Sequence, residues 1–415
     1  MSTSQTPDAP VDRSHSLPAG GGVGTLIGAI FLMATSAIGP GFITQTTKFT
    51  VQLGAAFAFA ILVSILVDIA IQTNVWRVIG ISNLRAQELG NAVLPGLGWV
   101  MSALLLAGGL VFNIGNVAGS GLGMNIMTDL DVRIGAVLLA ALAAAIFLSK
   151  RAGVAMDRIV VVLGALMILL TLYVAVTSGP PVGAALKNSV MPEEVSVLAI
   201  TTLIGGTIGG YIIYAGVHRL LDAGVAGPEN IDQLTRGAIV GILVTGLMRV
   251  LLFLAILGVV HSGAALDPDR QAASAFREAA GIVGYRLFGV VFAAAALTSV
   301  IGVSYTTITF VTTRGKTSAR TTNLLVIGFI ALSTALFLLL GAAPSELLVF
   351  AGAFNGILLP VGIGVMMWVA WRRRDLLQGY EYPKWLAVIG TIAWLVTVYL
   401  AVNSVRPAIE LITGG

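Results

Sequence analysis

The chain alternates long apolar runs with short polar or charged stretches from about residue 22 to residue 404. Most runs hold about 18 or more residues, the length that an α-helix needs to cross a hydrocarbon core of roughly 30 Å. The pattern therefore predicts about eleven membrane-spanning helices. Their expected ranges are 22–48, 53–76, 96–119, 132–149, 154–177, 195–221, 236–260, 284–312, 322–341, 345–370 and 383–404.

Glycine interrupts two of these runs. The first run contains Gly39-Pro40-Gly41, and the sixth contains Gly205-Gly206 and Gly209-Gly210. Glycines can serve close helix packing alone, but two interruptions at matched positions, one of them with proline, favour helices that are broken in mid-membrane. The interruptions lie five predicted spans apart, so the second set of five spans has inverted topology relative to the first. Secondary transporters follow this plan, with the substrate between the two broken helices.

The same plan predicts four parts of the chain. Residues 1–20 are rich in Ser, Pro, Asp and Thr and are expected to form a disordered cytoplasmic tail, followed by a first repeat at 21–178. An inverted second repeat is expected at 190–371, and an additional helix and the C-terminus at 380–415. Basic residues are enriched at the span ends that share a side with the N-terminus, which the positive-inside rule assigns to the cytoplasm. An odd number of spans then places the C-terminus outside.

Composition supports a membrane protein and excludes several other classes. Hydrophobic residues make up 57% of the chain, charged residues only 10%, and the mean hydropathy is +0.96, which no soluble fold of this size could bury. The chain has no cysteine, which excludes disulfides, thiolate metal sites and cysteine nucleophiles. The net charge of +4 is spread over helix ends, so no nucleic-acid partner is expected. Three scattered histidines without a His-Glu-x-x-His motif argue against an enzyme, and we expect no cofactor and a functional monomer.

The residues around both interruptions resemble the NRAMP family of metal-ion transporters, whose LeuT-type fold consists of two inverted five-helix repeats. Gly39-Pro40-Gly41-Phe42 stands in place of the family's Asp-Pro-Gly-Asn, and the register continues without a gap through Leu53-Gly54-Ala55 to Ala70-Ile71-Gln72. In the sixth span, Gly209-Gly210-Tyr211 falls where the family has Met-Pro-His. The resemblance covers nearly the whole chain and implies an all-α integral membrane protein with discontinuous helices 1 and 6.

The departures from this family concern the residues that carry its chemistry. Gly39, Phe42 and Gly209 stand where the family coordinates its metal with Asp, Asn and Met, and none of the three side chains can bind a divalent cation. In the third span, Asn113 and Asn116 replace an Asp and a Glu that the family uses in proton transfer, and an amide carries no exchangeable charge at physiological pH. The resemblance therefore implies the scaffold but a substrate other than Mn²⁺ or Fe²⁺.

The altered site is expected to favour an anion. Gly39, Gly41 and Phe42 lie at the start of a half-helix, whose free N–H groups suit a carboxylate. Lys48, about two turns further on, either faces the site or extends into water at the outer end. Asp68 and Arg249 are charged residues at membrane depth and are candidates for coupling to an ion or for a buried pair. Other candidate substrate contacts, of which roughly half are expected to be structural, are Gln45, Asn113, Asn116, Gly209, Tyr211, Tyr214, Ser304, Tyr305 and Asn355.

The overall pattern is most similar to a bacterial NRAMP-related branch whose genes lie beside those for 5-oxoprolinase subunits. That association implies secondary active transport of 5-oxoproline, a small cyclic carboxylate, across the bacterial inner membrane by alternating access. The coupling ion is a proton, sodium or none. One alternative is a divalent-metal transporter that holds a hydrated ion such as Mg²⁺ through backbone carbonyls and water. Another is a membrane sensor that keeps the fold without transport.

Overall fold

The computed structural model describes residues 37–148, 150–222, 224–312 and 317–413. All the regular elements in these ranges are helices, which confirms the all-α class. Short 3₁₀ turns occupy Gly54–Ala56 and Pro228–Asn230. The α-helices are α1 (Pro40–Leu53), α2 (Phe57–Ser82), α3 (Ala86–Val93), α4 (Leu97–Thr128), α5 (Val132–Leu148), α6 (Lys150–Thr177), α7 (Val182–Val190), α8 (Val197–Thr207), α9 (Ile212–Asp222), α10 (Ile231–His261), α11 (Gln271–Thr309), α12 (Ala319–Leu340), α13 (Pro344–Arg372) and α14 (Lys384–Thr413).

The predicted spans overlap these helices or helix pairs wherever the structure describes them, but α11 begins well before the predicted residue 284, and α4 and α14 end well after the predicted residues 119 and 404. Eight segments of the described residues are long and apolar enough to cross a membrane, and α6 with α7, bent by 105°, would make a ninth. The count of eleven, the tail at 1–20 and the division into two repeats stay predictions. The tail and the first half of the first span lie outside the described residues.

The first predicted break is confirmed. Ala37 is helical, Ile38 and Gly39 are not, and α1 begins at Pro40, two residues before the expected start near Phe42. Proline suits the first position of a helix because its missing N–H would have no intrahelical partner there. Gly39 precedes it with extended backbone and has no side chain to accept a hydrogen bond from the first N–H groups. The helix therefore starts with an uncapped end inside the protein.

The second predicted break is also confirmed. α8 ends at Thr207, four residues adopt a turn, and α9 begins at Ile212. Within the turn Gly210 has φ of +56°, a left-handed conformation that favours glycine. Both halves are buried: of the apolar stretch that runs through this break, 89% lies inside the protein.

Glycine brings the helix that precedes the second break into backbone contact with α13. A Cβ atom on Gly205 would lie 2.0 Å from the carbonyl oxygen of Gly352 and 2.3 Å from the amide nitrogen of Gly356. Small residues allow such close approach between helices in a membrane. Large apolar side chains elsewhere point outward, including Leu339 at 81% and Val402 at 69% exposure, as a lipid-facing surface requires.

Candidate functional site

The two breaks touch each other through α1 and α8. A Cβ atom at Gly206, just before the second break, would lie 2.3 Å from Oε1 of Gln45, which is one turn into α1. The Gln45 Nε2 group donates to the backbone oxygen of Leu348 on α13 at 2.9 Å. Gln45 is fully buried. It thus fills the junction of three helices, and its Oε1 has no hydrogen-bond partner among the described residues.

A charged cluster lies directly at the breaks, and we define it as Phe42, Asp68, Thr207 and Arg249. The Arg249 guanidinium on α10 lies 4.5 Å from the centre of the Phe42 ring, in the first turn of α1. Its Nη1 donates to the Thr207 hydroxyl, at the end of α8, at 2.8 Å. The same hydroxyl is within hydrogen-bonding reach of the Asp68 carboxyl on α2, and Arg249 acts electrostatically on that carboxyl. Four helices therefore converge on one pair of opposite charges.

The charged cluster has unused hydrogen-bonding capacity. Asp68 and Arg249 are each 1% exposed, yet Nε and Nη2 of Arg249 and Oδ1 of Asp68 have no partner among the described residues. Thr46 and Gln72, each one helical turn beyond a cluster member, also carry unpaired buried side-chain atoms. Because an unpaired polar atom in the interior is costly, such a concentration is typical of a place that receives a ligand or water.

A second polar group, which we call the amide cluster, consists of Asn113, Ser304 and Ser333. Asn113 Nδ2 donates to the hydroxyls of Ser304 at 3.1 Å and Ser333 at 3.0 Å. These bonds tie α4 to α11 and α12. Ser304 and Ser333 in turn donate to backbone oxygens of their own helices. The amide cluster is neutral, and two of the sequence candidates, Asn113 and Ser304, lie in it.

Asn116 and Asn355 are buried amides with different surroundings. Both polar atoms of the Asn116 side chain lack a hydrogen-bond partner among the described residues. The same face of α4 reaches the first break one turn later, where a Cβ atom at Gly119 would lie 2.8 Å from Pro40. Asn355 Nδ2 donates to the backbone oxygens of Gly108 and Ala351, and its Oδ1 lies 2.2 Å from where Gly210 would carry a Cβ atom. Asn355 therefore braces the second break.

The two candidate tyrosines after the second break are buried and point into aromatic surroundings. Tyr211 packs edge-on against Phe112, and its hydroxyl has no partner among the described residues. Tyr214 stacks on His218 and contacts Phe310. Tyr214 and Gly210 also line a small apolar crevice, partly open to the surface, with α4 and α13 residues around it. The crevice reaches the second break from one side.

A second small crevice, also partly open to the surface, reaches α1 at Thr44 and Thr47. Asp269 and Arg270, which precede α11, line it as well. Arg270 donates to the Tyr285 hydroxyl at 3.2 Å. Nearby, Arg286 on α11 forms an ion pair with Asp129 and holds the pKa of that carboxyl below its ordinary value. The crevice therefore combines hydroxyls with a cation at its rim.

Two sequence candidates are not placed among these buried contacts. Lys48 is half-buried on α1, and the side chain of Tyr305 is 43% exposed. Sequence reasoning in turn missed Thr207, Ser333 and also Ser299, whose Oγ would lie 2.6 Å from a Cβ atom at Gly39. The position of Thr207 directly before a glycine-rich break was the one available signal for it.

The donor set at the breaks does not suit a divalent cation. Gly39 and Gly209 provide no side-chain ligand, and the ring of Phe42 lies under a guanidinium. Among the side chains that the structure describes, which leave out those of 149–161 and 222, Asp68 is the only buried acidic one. Within that part of the chain, no three His, Cys, Asp or Glu side chains come together as metal ligands.

Comparison with known proteins agrees with this architecture. A family model described as natural resistance-associated macrophage protein-like (Nramp) matches residues 30–406. An uncharacterized membrane protein of Bacillus subtilis, YcsG, is 48% identical over 377 residues, covering 91% of this chain and 93% of that protein. An uncharacterized membrane protein of Haemophilus influenzae is 46% identical over 388 residues, covering 94% and 96%.

Solved structures share the fold at low sequence identity. A variant of the Eremococcus coleocola manganese transporter superposes with a TM-score of 0.72 at 15% identity, covering 96% of this chain and 90% of that one. MhsT in complex with L-phenylalanine superposes with a TM-score of 0.64 at 18% identity, covering 93% and 98%. The same arrangement of helices thus occurs in a protein named for a metal and in one that holds an amino acid.

Proposed function

The chain belongs to the Nramp family of multi-pass membrane transporters and has its LeuT-type fold, and we propose that its substrate is a small organic carboxylate. The observation that carries the proposal is Arg249. A fully buried guanidinium with two unpaired nitrogens lies over Phe42, the residue that replaces a metal-ligating Asn in the family resemblance. A fixed cation at this point repels a metal ion and attracts an anion.

The start of α1 adds a second attraction for a carboxylate. Its first N–H groups have no side-chain cap, because Gly39 precedes them, and the end of a helix dipole is positive there. Arginine supplies planar, paired N–H donors that match the two oxygens of a carboxylate. Arg249 and the positive end of α1 would together bind the carboxylate of the substrate.

The amides near the breaks support a substrate with further polar groups. Asn116 has a donor and an acceptor without partners, and Gln45 has a free acceptor. A cyclic amide such as that of 5-oxoproline carries one N–H donor and one carbonyl acceptor beside its carboxylate. Such a ligand could use each of these groups. We therefore propose 5-oxoproline as the first compound to test, with Asn116, Gln45 and Tyr211 as contacts.

The transport cycle that we propose is alternating access around the two breaks. The Tyr214 crevice lies beside the first turns of α4 and the crevice at Thr44 and Thr47 lies beside its last turns, and the two would serve as entry and exit paths. The protein would act as a monomer in the bacterial inner membrane, with the N-terminus in the cytoplasm and the C-terminus outside. Residues 21–178 and 190–371 would form the two moving repeats.

A divalent-metal transporter is the second candidate. The observation in its favour is the close superposition on a manganese transporter. A metal would have to bind through Asp68 and backbone oxygens while Arg249 lies beside it. This arrangement places a cation next to a cation, and so we rank it second.

Uptake by purified protein in liposomes tests the proposal. Labelled 5-oxoproline should accumulate under an imposed ion gradient, and unlabelled small carboxylates should compete with it. Mn²⁺ and Mg²⁺, followed with a metal-sensitive dye inside the vesicles, should not enter above the rate of empty liposomes. Entry of Mn²⁺ without any carboxylate uptake would reverse the ranking of the two candidates.

A further inference from the structure

We propose that Asp68 takes up a proton each time a carboxylate binds to Arg249, so that one proton moves with each substrate anion. The inference rests on the proposed function and names the residue that couples it to an ion gradient. Its basis is the meeting of Asp68, Thr207 and Arg249, on three different helices, at the second break.

Among the side chains that the structure describes, Arg249 is the charged group that acts on Asp68. The helices packed against α2 are α1, α7, α8, α9, α10, α13 and α14, and α1 carries the half-buried Lys48. Gln72, one turn further along α2, adds only a neutral amide. The net charge of the charged cluster is therefore set by Asp68, by Arg249 and by any ligand that binds beside them.

Charge balance gives the reason for proton uptake. Without substrate, the positive Arg249 and the negative Asp68 sum to zero. A carboxylate that binds the guanidinium would share it with Asp68 and leave the charged cluster with one net negative charge, which is costly at membrane depth. One proton on Asp68 restores neutrality. The proton comes from the side on which the substrate enters. It is released when the substrate departs, because Arg249 then compensates the charge of Asp68 again.

The local hydrogen bonds allow Asp68 to hold this proton. The Thr207 hydroxyl has a single hydrogen and already donates it to the Leu203 backbone oxygen at 2.7 Å. A protonated Asp68 could donate to the Thr207 oxygen, while the ionised form would have to compete with Leu203 for the hydroxyl hydrogen. Thr207 can therefore remain bonded in both states of the carboxyl.

The residues of the charged cluster are better suited to a proton than to a sodium ion as the coupling ion. A metal cation needs several oxygen ligands, and Asp68 is the one buried acidic residue among the side chains that the structure describes. Asn113 and Asn116, which stand where the family resemblance places proton-transfer carboxylates, cannot carry a proton themselves. Asp68 is thus the group beside Arg249 that can change its charge.

Calorimetry on the wild-type protein tests the inference without any substitution. 5-Oxoproline would be titrated into protein in detergent, in two buffers that differ in their enthalpy of ionisation. The difference in apparent binding enthalpy should correspond to about one proton taken up per bound anion. In liposomes, an outside medium one pH unit more acidic than the lumen should then drive roughly tenfold accumulation, unaffected by membrane potential.

The variant Asp68→Asn tests the assigned residue. It should lose proton uptake on binding and accumulation under the pH gradient, and its affinity for 5-oxoproline, whatever its size, should no longer change with pH in the range where the wild type takes up a proton. Net uptake should also become sensitive to membrane potential. In this variant the charged cluster is neutral with the carboxylate bound and carries the positive charge of Arg249 without it. Asp232→Asn, an exposed substitution of the same kind on α10, is the control and should behave as the wild type.

The results separate the two proposals. Carboxylate binding without proton uptake, or accumulation that follows a sodium gradient, would overturn the coupling inference and leave the proposed function intact. Failure of the wild type to bind 5-oxoproline or any other small carboxylate would remove both. If Asp68→Asn does not fold, the wild-type calorimetry still decides the outcome.

Discussion

The charged cluster and the amide cluster lie on different sets of helices and differ in how many of their polar atoms are used. In the amide cluster, Asn113 Nδ2 bonds to two serines, those serines bond to their own helices, and Asn113 Oδ1 is the one atom without a partner among the described residues. In the charged cluster, two guanidinium nitrogens and one carboxyl oxygen have no partner among the described residues. The first arrangement is that of a structural tie between helices, and the second is that of a binding site.

The comparison also shows that the buried charges lie on other helices than the family resemblance implies. The family resemblance places carboxylates on α1 and α4, and these positions are now Gly39, Asn113 and Asn116. Charge is instead found on α2 and α10, as Asp68 and Arg249. The breaks are therefore present here together with a positive Arg249 as well as a negative Asp68.

The largest effect is expected from Arg249→Gln. Removing the guanidinium should weaken carboxylate binding by about 2–5 kcal/mol, since a buried charged partner of the ligand is lost. The affinity is measured by calorimetry, with Arg236→Gln, an exposed residue of the same helix, as the control. In this variant Asp68 is a buried charge without a partner, which by itself destabilises the protein. The double variant with Asp68→Asn removes that buried charge. If it also binds weakly, the cause is the missing guanidinium and not a loss of stability. Unchanged affinity in Arg249→Gln would remove the charged cluster from the site.

A smaller effect is expected where backbone packing holds the second break. Gly205→Ala would place a methyl carbon 2.0 Å from the Gly352 oxygen, so α8 and α13 must separate. We expect a loss of stability of about 1–3 kcal/mol, seen as a lower thermal midpoint in detergent. Gly328→Ala on α12 has open space around the added carbon and should leave the midpoint unchanged. Equal midpoints for both variants would show that the close approach is not needed.

Restoring an acid at the first break tests the sign of the site. Gly39→Asp needs room, because its Cβ atom would lie 2.6 Å from the Ser299 hydroxyl, and it is therefore combined with Ser299→Ala. The added negative charge should lower carboxylate affinity roughly tenfold. The matched control is Gly39→Asn with Ser299→Ala, which has nearly the same shape without the charge. If both double variants bind carboxylates equally, the start of α1 is not the anion pole.

The smallest effect is expected in the amide cluster. Asn113→Ala removes two side-chain hydrogen bonds between helices and should cost about 1–2 kcal/mol of stability. Its carboxylate affinity should fall far less than that of Arg249→Gln. Asn403→Ala on α14, whose amide is exposed, serves as the control for the thermal midpoint. A loss of binding as large as that of Arg249→Gln would mean that the two clusters share one function.

The sequence predicted the broken helices because their causes are local. Pro40 at the first position of a helix, Gly39 before it and the glycine pairs around Ile208 restrict or free the backbone at those very positions. The helix class and most helix ends followed from apolar runs in the same way. These features need no knowledge of what lies opposite in the fold.

The composition of the charged cluster depended on tertiary packing and was only partly predictable. Asp68 and Arg249 were recognised as charges at membrane depth, but their convergence on Thr207 joins helices that are far apart in the chain. A threonine or serine in an apolar helix most often bonds to its own backbone, so Ser333 gave no signal, and Thr207 was marked only by its position before the second break. Whether Lys48 and Tyr305 face the breaks depends on helix rotation, which spacing alone did not determine.

The most direct test of a carboxylate site in place of a metal site is thermal unfolding of the wild-type protein in detergent with a panel of ligands. We expect 5-oxoproline or a related small carboxylate to raise the midpoint in a concentration-dependent manner, and Mn²⁺ and Mg²⁺ to leave it unchanged. The same carboxylate should have no effect on Arg249→Gln. Stabilisation by Mn²⁺ or Mg²⁺, together with no response to any carboxylate, would contradict an anion site at the breaks.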